Sequence, residues 1–165
     1  MDLNPDLAFV NAKLPSSLDR PAVIAMLNRI LELELAGVVR YTHYALMVNG
    51  FGRIPIVAWL EEQASLGLSH AREVGELVTS MGGHPSLGIG PLLESQKHDV
   101  GEILRESLAH ETGSLVAYYQ LLALVEDRDV RLEDFARASI CEELTHRDQV
   151  DKMLRRPGSS EPFVG

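Results

Sequence analysis

The sequence predicts an all-α fold, an antiparallel four-helix bundle with one long crossover between its second and third helices. Proline positions, the apolar period and two polar breaks carry that expectation. Prolines at 5, 15, 21, 55, 85, 91, 157 and 162 leave proline-free runs of 22–54, 56–84 and 92–156. An interior proline breaks a helix, so long helices belong in those runs.

The first helix is expected over 20–49. Asp19 is a candidate N-cap, Pro21 sits in the first turn, and apolar residues recur at Leu27, Ile30, Leu31, Val38 and Leu46 before the stop "NGFG". A hairpin around Asn49-Gly50 is the competing reading, but the helical period runs into it unbroken and covers more residues. Pro55 opens the second helix, 55–80, which closes at the paired glycines of "MGGHP". After the loop "GGHPSLGIGPLLE", the third run is too long for one helix of a compact domain. The polar stretch "EDRDV", with Asp129 as a cap, divides it into helices over 95–126 and 130–155. Short first–second and third–fourth links with one long middle link give two helical hairpins packed as a bundle. Residues 1–18 are then an N-terminal extension, 19–156 the bundle and 157–165 a tail.

With 165 residues, 45% of them hydrophobic, the chain has the size of one domain and can bury a core. A formal charge of −9 argues against nucleic-acid and anionic-membrane surfaces, and no Lys/Arg cluster offsets it. The single cysteine, Cys141, excludes an internal disulfide and any four-cysteine metal site, and fits a reducing compartment. The N-terminal stretch "MDLNPDLAFVNAKLPSS" has neither a basic region nor a long apolar run. The expectation is a soluble cytoplasmic protein with no membrane span.

Most of the acidic residues suit the water-facing sides of amphipathic helices. Glu34, Glu111 and Glu143 do not. The helical neighbours of Glu34 at −7, −3, +4 and +7 are Leu27, Leu31, Val38 and Tyr41; those of Glu111 are Leu104, Leu108, Leu115 and Tyr118. Glu143 follows Ala136 and Ile140 and precedes Val150 by seven, with Arg147 at +4 as the exception, and His146 lies one turn on. A lone core-edge glutamate is ordinarily one that reaches solvent or pairs with an arginine. The joint pattern weakens that explanation, because Glu34 to His70 spans 36 residues and Glu111 to His146 spans 35. Each hairpin thus places a glutamate and a histidine at matching positions, and Tyr41 and Tyr118 follow on the same faces, able to hydrogen-bond a ligand carboxylate. A buried carboxylate is costly unless it is paired, protonated or bound to metal. A carboxylate-bridged dinuclear iron or manganese site between four helices uses this set of donors.

The chain resembles the ferritin-like superfamily, and bacterioferritin within it, over about residues 24–154. "LNRILELELAGVVRYTHYALMVNGFG" looks like the first helix of that family and "LSHAREVGELVTSMGGHPSLGIGPL" like its second helix and crossover. "LAHETGSLVAYY" and "CEELTHRDQVDKM" look like the third and fourth. The resemblance implies metal-ligand roles for Glu34, His70, Glu111, Glu143 and His146, with non-haem iron, one or two ions, as the cofactor; manganese or zinc would suit the same donors. It implies Fe(II) oxidation by dioxygen or peroxide, serving iron storage or detoxification, and assembly into a homo-oligomer of at least two copies. Three departures matter. Gly67 stands where the family has a bridging glutamate. Leu68 stands where bacterioferritin has a haem-ligating methionine, so haem is not expected. No short fifth helix follows the fourth, so a large shell is not implied.

Three glutamates leave two divalent ions with a net positive charge, which predicts weaker binding of at least one ion. Glu73 and Gln63, one turn to either side, reach the site only if the metals shift along the axis, Glu62 points farther round the helix, and a bridging hydroxide, carbonate or captured anion is an equal alternative. If the centre is lost, the chain is instead a non-catalytic structural or partner-binding subunit. A di-metal oxidase of an organic substrate ranks last. His43, His84, His98 and His110 are expected as surface or loop residues, Tyr44, Tyr119 and Trp59 as packing groups, and Cys141 as an inert thiol.

Overall fold

The structure is a computed structural model and describes residues 18–92 and 95–164. The extension expected over 1–18 lies outside the described residues except for Leu18, which packs against the core. Four helices follow one another: α1 (Arg20–Met47), α2 (Arg53–Ser80), α3 (Val100–Val125) and α4 (Val130–Leu154). No strand occurs among the described residues.

Local signals explain most of the boundaries. The Asp19 side chain accepts from the Ala22 N–H and the Asp129 side chain from the Leu132 N–H, each satisfying a donor that the first helical turn leaves open. α1 stops at Met47, and Gly50 adopts a positive φ of 94° that turns the chain into α2. α2 starts two residues before Pro55, whose missing N–H falls in the first turn, where no intrahelical acceptor exists. The start of α3 differs most from expectation, at Val100 instead of 95. Gln96 takes a left-handed φ of 60°, which a helix cannot continue through, and Asp99 caps the Glu102 N–H at 3.2 Å.

α1 packs on α2, α3 on α4, and α1 on α3. The last pair is antiparallel: Arg29 meets Gln120, Glu34 meets Tyr118, and Arg40 meets Glu106, so numbers rise on one helix as they fall on the other. The crossover is held on α1. The Asn28 side chain donates to the His84 carbonyl and accepts from the Ser86 N–H, and the Gly90 N–H donates to the Glu32 carbonyl at 2.8 Å. A Cβ on Gly90 would stand 3.1 Å from that carbonyl oxygen, so close docking favours glycine there. Beyond α4, the Phe163 N–H donates to Asp151, returning the tail to the bundle.

Two apolar clusters sandwich a polar layer. The larger runs from Val23, Leu27 and Ile30 through Val74 and Val78 to Leu121, Val125, Leu132 and Ala136; the smaller joins Tyr41, Tyr44, Val48, Leu60 and Ile103. Each fully buried Leu, Val or Ile contributes about 1.5–3 kcal/mol. That framework fixes what lies between the clusters.

Candidate metal centre

The layer between the clusters contains all five residues singled out from the sequence. Glu34 from α1, Glu111 from α3 and Glu143 from α4 are buried to within 6% exposure or less, and His70 from α2 and His146 from α4 close the cavity they line. Two groups of donors form. Glu34, His70 and Glu143 each offer one ligand atom within 4.8 Å of the others, and so do Glu111, Glu143 and His146. Glu143 belongs to both.

The internal two-fold of the sequence is visible in the contacts. His70 Nδ1 lies 3.6 Å from Glu34, and His146 Nδ1 lies 4.0 Å from Glu111, so each histidine faces the glutamate of its own hairpin. The tyrosines cross over. Tyr118 of α3 donates to Glu34 of α1 at 2.8 Å, and Tyr41 of α1 donates to Glu111 of α3. Each tyrosine therefore fixes the carboxylate of the other hairpin. Burial, with the adjacent carboxylate, raises both phenols well above their ordinary range and keeps them as donors.

Electrostatics single out Glu143. Burial, then the neighbouring Glu111 and Glu34 carboxylates, push it up to about 11, so the metal-free protein holds it neutral near pH 7. The proton that it keeps goes into a hydrogen bond with the Glu111 side chain, and its Oε2 is buried. Three carboxyl groups this close cannot all ionise without a counter-charge, and a cation between the two donor groups would replace the proton that Glu143 keeps. The donors present thus fit a pair of oxygen- and imidazole-binding metal ions. Next to Glu34, His70 is raised by that carboxylate against the opposing effect of burial, and Glu142 approaches its other nitrogen, Nε2, at 3.2 Å.

Opposite Glu143 the two-fold fails, because α2 presents Gly67. A Cβ there would lie 3.4 Å from the Glu34 carbonyl oxygen, 3.4 Å from Val38 Cγ2 and 3.8 Å from Glu34 Oε2. Those are contacts at ordinary van der Waals distance. Of the substitutes considered from the sequence, Glu62 and Glu73 are exposed, whereas Gln63 is buried and lines the cavity.

Two residues stand differently from their sequence-based expectations. His110 is not a surface or loop residue: it is 7% exposed and lines the cavity, with burial, then the Arg40 charge, lowering it to about 4. It fits because Gly37 has no side chain, a Cβ there falling 2.8 Å from His110 Nε2. A glycine one turn after Glu34 was the available signal. Tyr119 is half exposed rather than packed. Arg40 escaped the sequence reading: buried in α1, it donates to the Glu106 carbonyl at 2.7 Å and to the Tyr44 hydroxyl, which donates in turn to the Glu106 carboxylate.

Fold and site together define a helical bundle with a buried carboxylate–histidine cluster at mid-height. A family model described as ferritin-like domain matches residues 24–157, and the chain belongs to that family. No curated protein matches it. Among solved structures it is similar to a ferritin-like diiron-carboxylate protein of Bacillus anthracis str. Ames, with 24% identity, 84% of this chain and 99% of that one covered, and a TM-score of 0.80. It is similar to the dodecameric thioferritin, a bacterioferritin-related protein, of Bacteroides fragilis (21% identity, 91% and 92% covered, TM-score 0.78). The bacterioferritin of Desulfovibrio desulfuricans, described with a diiron site, aligns at 22% identity over 82% of this chain and 79% of that one, with a TM-score of 0.74. At these identities the likeness establishes the fold. No described helix is long and apolar enough to cross a membrane.

Proposed function

We propose that Glu34, His70, Glu111, Glu143 and His146 hold non-haem iron, with Glu143 shared between two ions, and that the protein oxidises Fe(II) with dioxygen or peroxide in iron storage or detoxification. The observation that carries this reading is the buried carboxyl of Glu143 at the junction of the two donor groups. Iron would supply the redox couple and open coordination positions. The chain's own residues do the rest: Tyr41 and Tyr118 orient the glutamates, and Glu142 meets the outer nitrogen of His70. Oxygen and imidazole donors would also accept manganese or zinc. Ferritin-family membership and the diiron sites named for two of the structural relatives support iron.

Homo-oligomer formation accompanies this reading. Leu46, Phe51 and Ile54 are exposed around the α1–α2 turn, and Val116 and Tyr119 on α3; such apolar surface suits burial against another copy. The test of function is Glu143→Ala. The variant should lose Fe(II) binding in an anaerobic titration and rapid oxidation on mixing with oxygen; unchanged stoichiometry and rate would remove the proposal. Gly67 favours one other reading, a non-catalytic bundle holding a single ion or none, for which wild type and variant would oxidise Fe(II) equally slowly.

A further inference from the structure

We infer that the end of the bundle at the α1–α2 turn is a two-fold interface between two copies of this chain, in which Phe51 of each copy enters a groove between α1 and α2 of the other. The inference deepens the homo-oligomer reading above and is independent of the metal centre.

The sequence "NGFGR" supplies the knob. Phe51 stands between Gly50 and Gly52 and is fully exposed, at 111%. The turn that carries it is nevertheless tied down. Gly50 takes a φ of 94°, the Arg53 N–H donates to the Gly50 carbonyl at 3.1 Å, and the Asn49 amide donates to the Met47 carbonyl at 2.9 Å. The Arg53 guanidinium donates to the Ala45 carbonyl at 3.3 Å and to that of Val48. An aromatic side chain on a fixed turn gives up little conformational freedom when it docks, which favours it as a binding anchor. Leu46 and Ile54, both exposed, flank it and extend the apolar surface.

The groove lies on the same face. Thr42 and Leu46 of α1 and Val57, Ala64 and Ser65 of α2 wall a space of about 320 Å³, enough for a phenyl ring, which the exposed Phe51 of the same chain does not fill. A two-fold contact needs each copy to offer both halves of the fit, and this face does. Charge sets the register. Arg53 and Glu61 also line the groove, and neither has an ion-pair partner among the described residues. They lie eight residues apart on α2, about 12 Å along its axis, too far to pair with each other. An antiparallel two-fold centred at the height of Val57 brings Arg53 of each copy level with Glu61 of the other. The same operation carries Phe51 to the level of residue 63, beside Ala64 and Ser65 in the groove. The ionic and the aromatic pairings therefore select one register. A second copy suits this surface better than an anionic membrane, which the formal charge of −9 opposes.

The test uses the full-length metal-free protein. Sedimentation equilibrium over a concentration series should show self-association of the wild type, and Phe51→Ser should weaken it about tenfold or more, the scale of a lost anchor. Glu61→Arg, which sets arginines level with each other, should weaken it as well, and adding Arg53→Glu to Glu61→Arg should recover it, a rescue that a merely structural effect would not give. Circular dichroism checks the fold of each variant, and Phe51→Ser alone decides the matter if the charge variants do not fold. Self-association that survives Phe51→Ser, or a folded double variant that associates no more tightly than Glu61→Arg, overturns this interface and leaves the homo-oligomer to another face. A wild type that stays monomeric throughout removes the homo-oligomer reading too. A monomer that binds neutral lipid vesicles through Phe51 would assign the patch to a membrane and overturn the inference.

Discussion

Holding Glu143 neutral has a consequence for the metal-free fold. The unfolded chain releases the Glu143 proton near the ordinary glutamate range, while burial and the Glu111 and Glu34 carboxylates keep it bound in the folded protein up to about 11. Between those limits the folded state holds the extra proton, so stability falls as pH rises, by about 1.4 kcal/mol per pH unit from this group. From pH 6.5 to 8.5 the loss is on the order of 3 kcal/mol. His70, also raised, acts in the same direction: its contribution is complete below the ordinary histidine value and is lost as pH climbs through the raised one. His110, lowered to about 4, has the opposite sign, but its window closes at the ordinary histidine value and does not enter. Replacing Glu143 with Gln keeps the shape and removes the proton. Urea unfolding of chelator-treated protein at several pH values is the assay. The wild-type midpoint should drop more than that of Glu143→Gln across this interval, by about 1 M urea for a chain of this size. Parallel pH dependences would refute the claim that a buried neutral carboxyl occupies the site.

Further expectations concern the groups around the cluster. Tyr118→Phe and Tyr41→Phe each free one carboxylate that the structure holds across the α1–α3 interface, and should weaken metal binding by about tenfold or more in a competition titration with little change in fold. Gly37→Ala should destabilise the protein by about 1–3 kcal/mol, because the new methyl meets His110 Nε2; adding His110→Ala should recover part of the loss, as a double-mutant cycle would show. Asp129→Ala removes the cap of α4 and should cost about 1 kcal/mol in thermal or denaturant unfolding.

How much of this was legible in the sequence depends on whether the cause is local. Asp19 and Asp129 act on N–H groups three residues away, so their roles follow from sequence order. The start of α3 was misplaced because the proline-free run said where a helix could exist, while Asp99 and the left-handed Gln96 decided where it began. The cluster was visible because two hairpins of nearly equal length repeat the same glutamate–histidine spacing, which places the donors at one height before any packing is known. The choice of tyrosine partners was not visible. Periodicity puts Tyr41 on the face of Glu34 and Tyr118 on that of Glu111, but only the antiparallel packing of α1 on α3 shows that each serves the opposite glutamate. His110 was misjudged for a similar reason: it lies off the stripe of its own helix and is buried by the gap at Gly37 on another.

A count of Fe(II) bound per chain, made anaerobically, tests the central claim most directly when wild type and Glu143→Ala are titrated side by side. The shared-carboxylate account predicts two ions for the wild type and loss of both sites in the variant, since Glu143 belongs to each donor group. Equal binding by the two proteins, or no binding by the wild type, would contradict it.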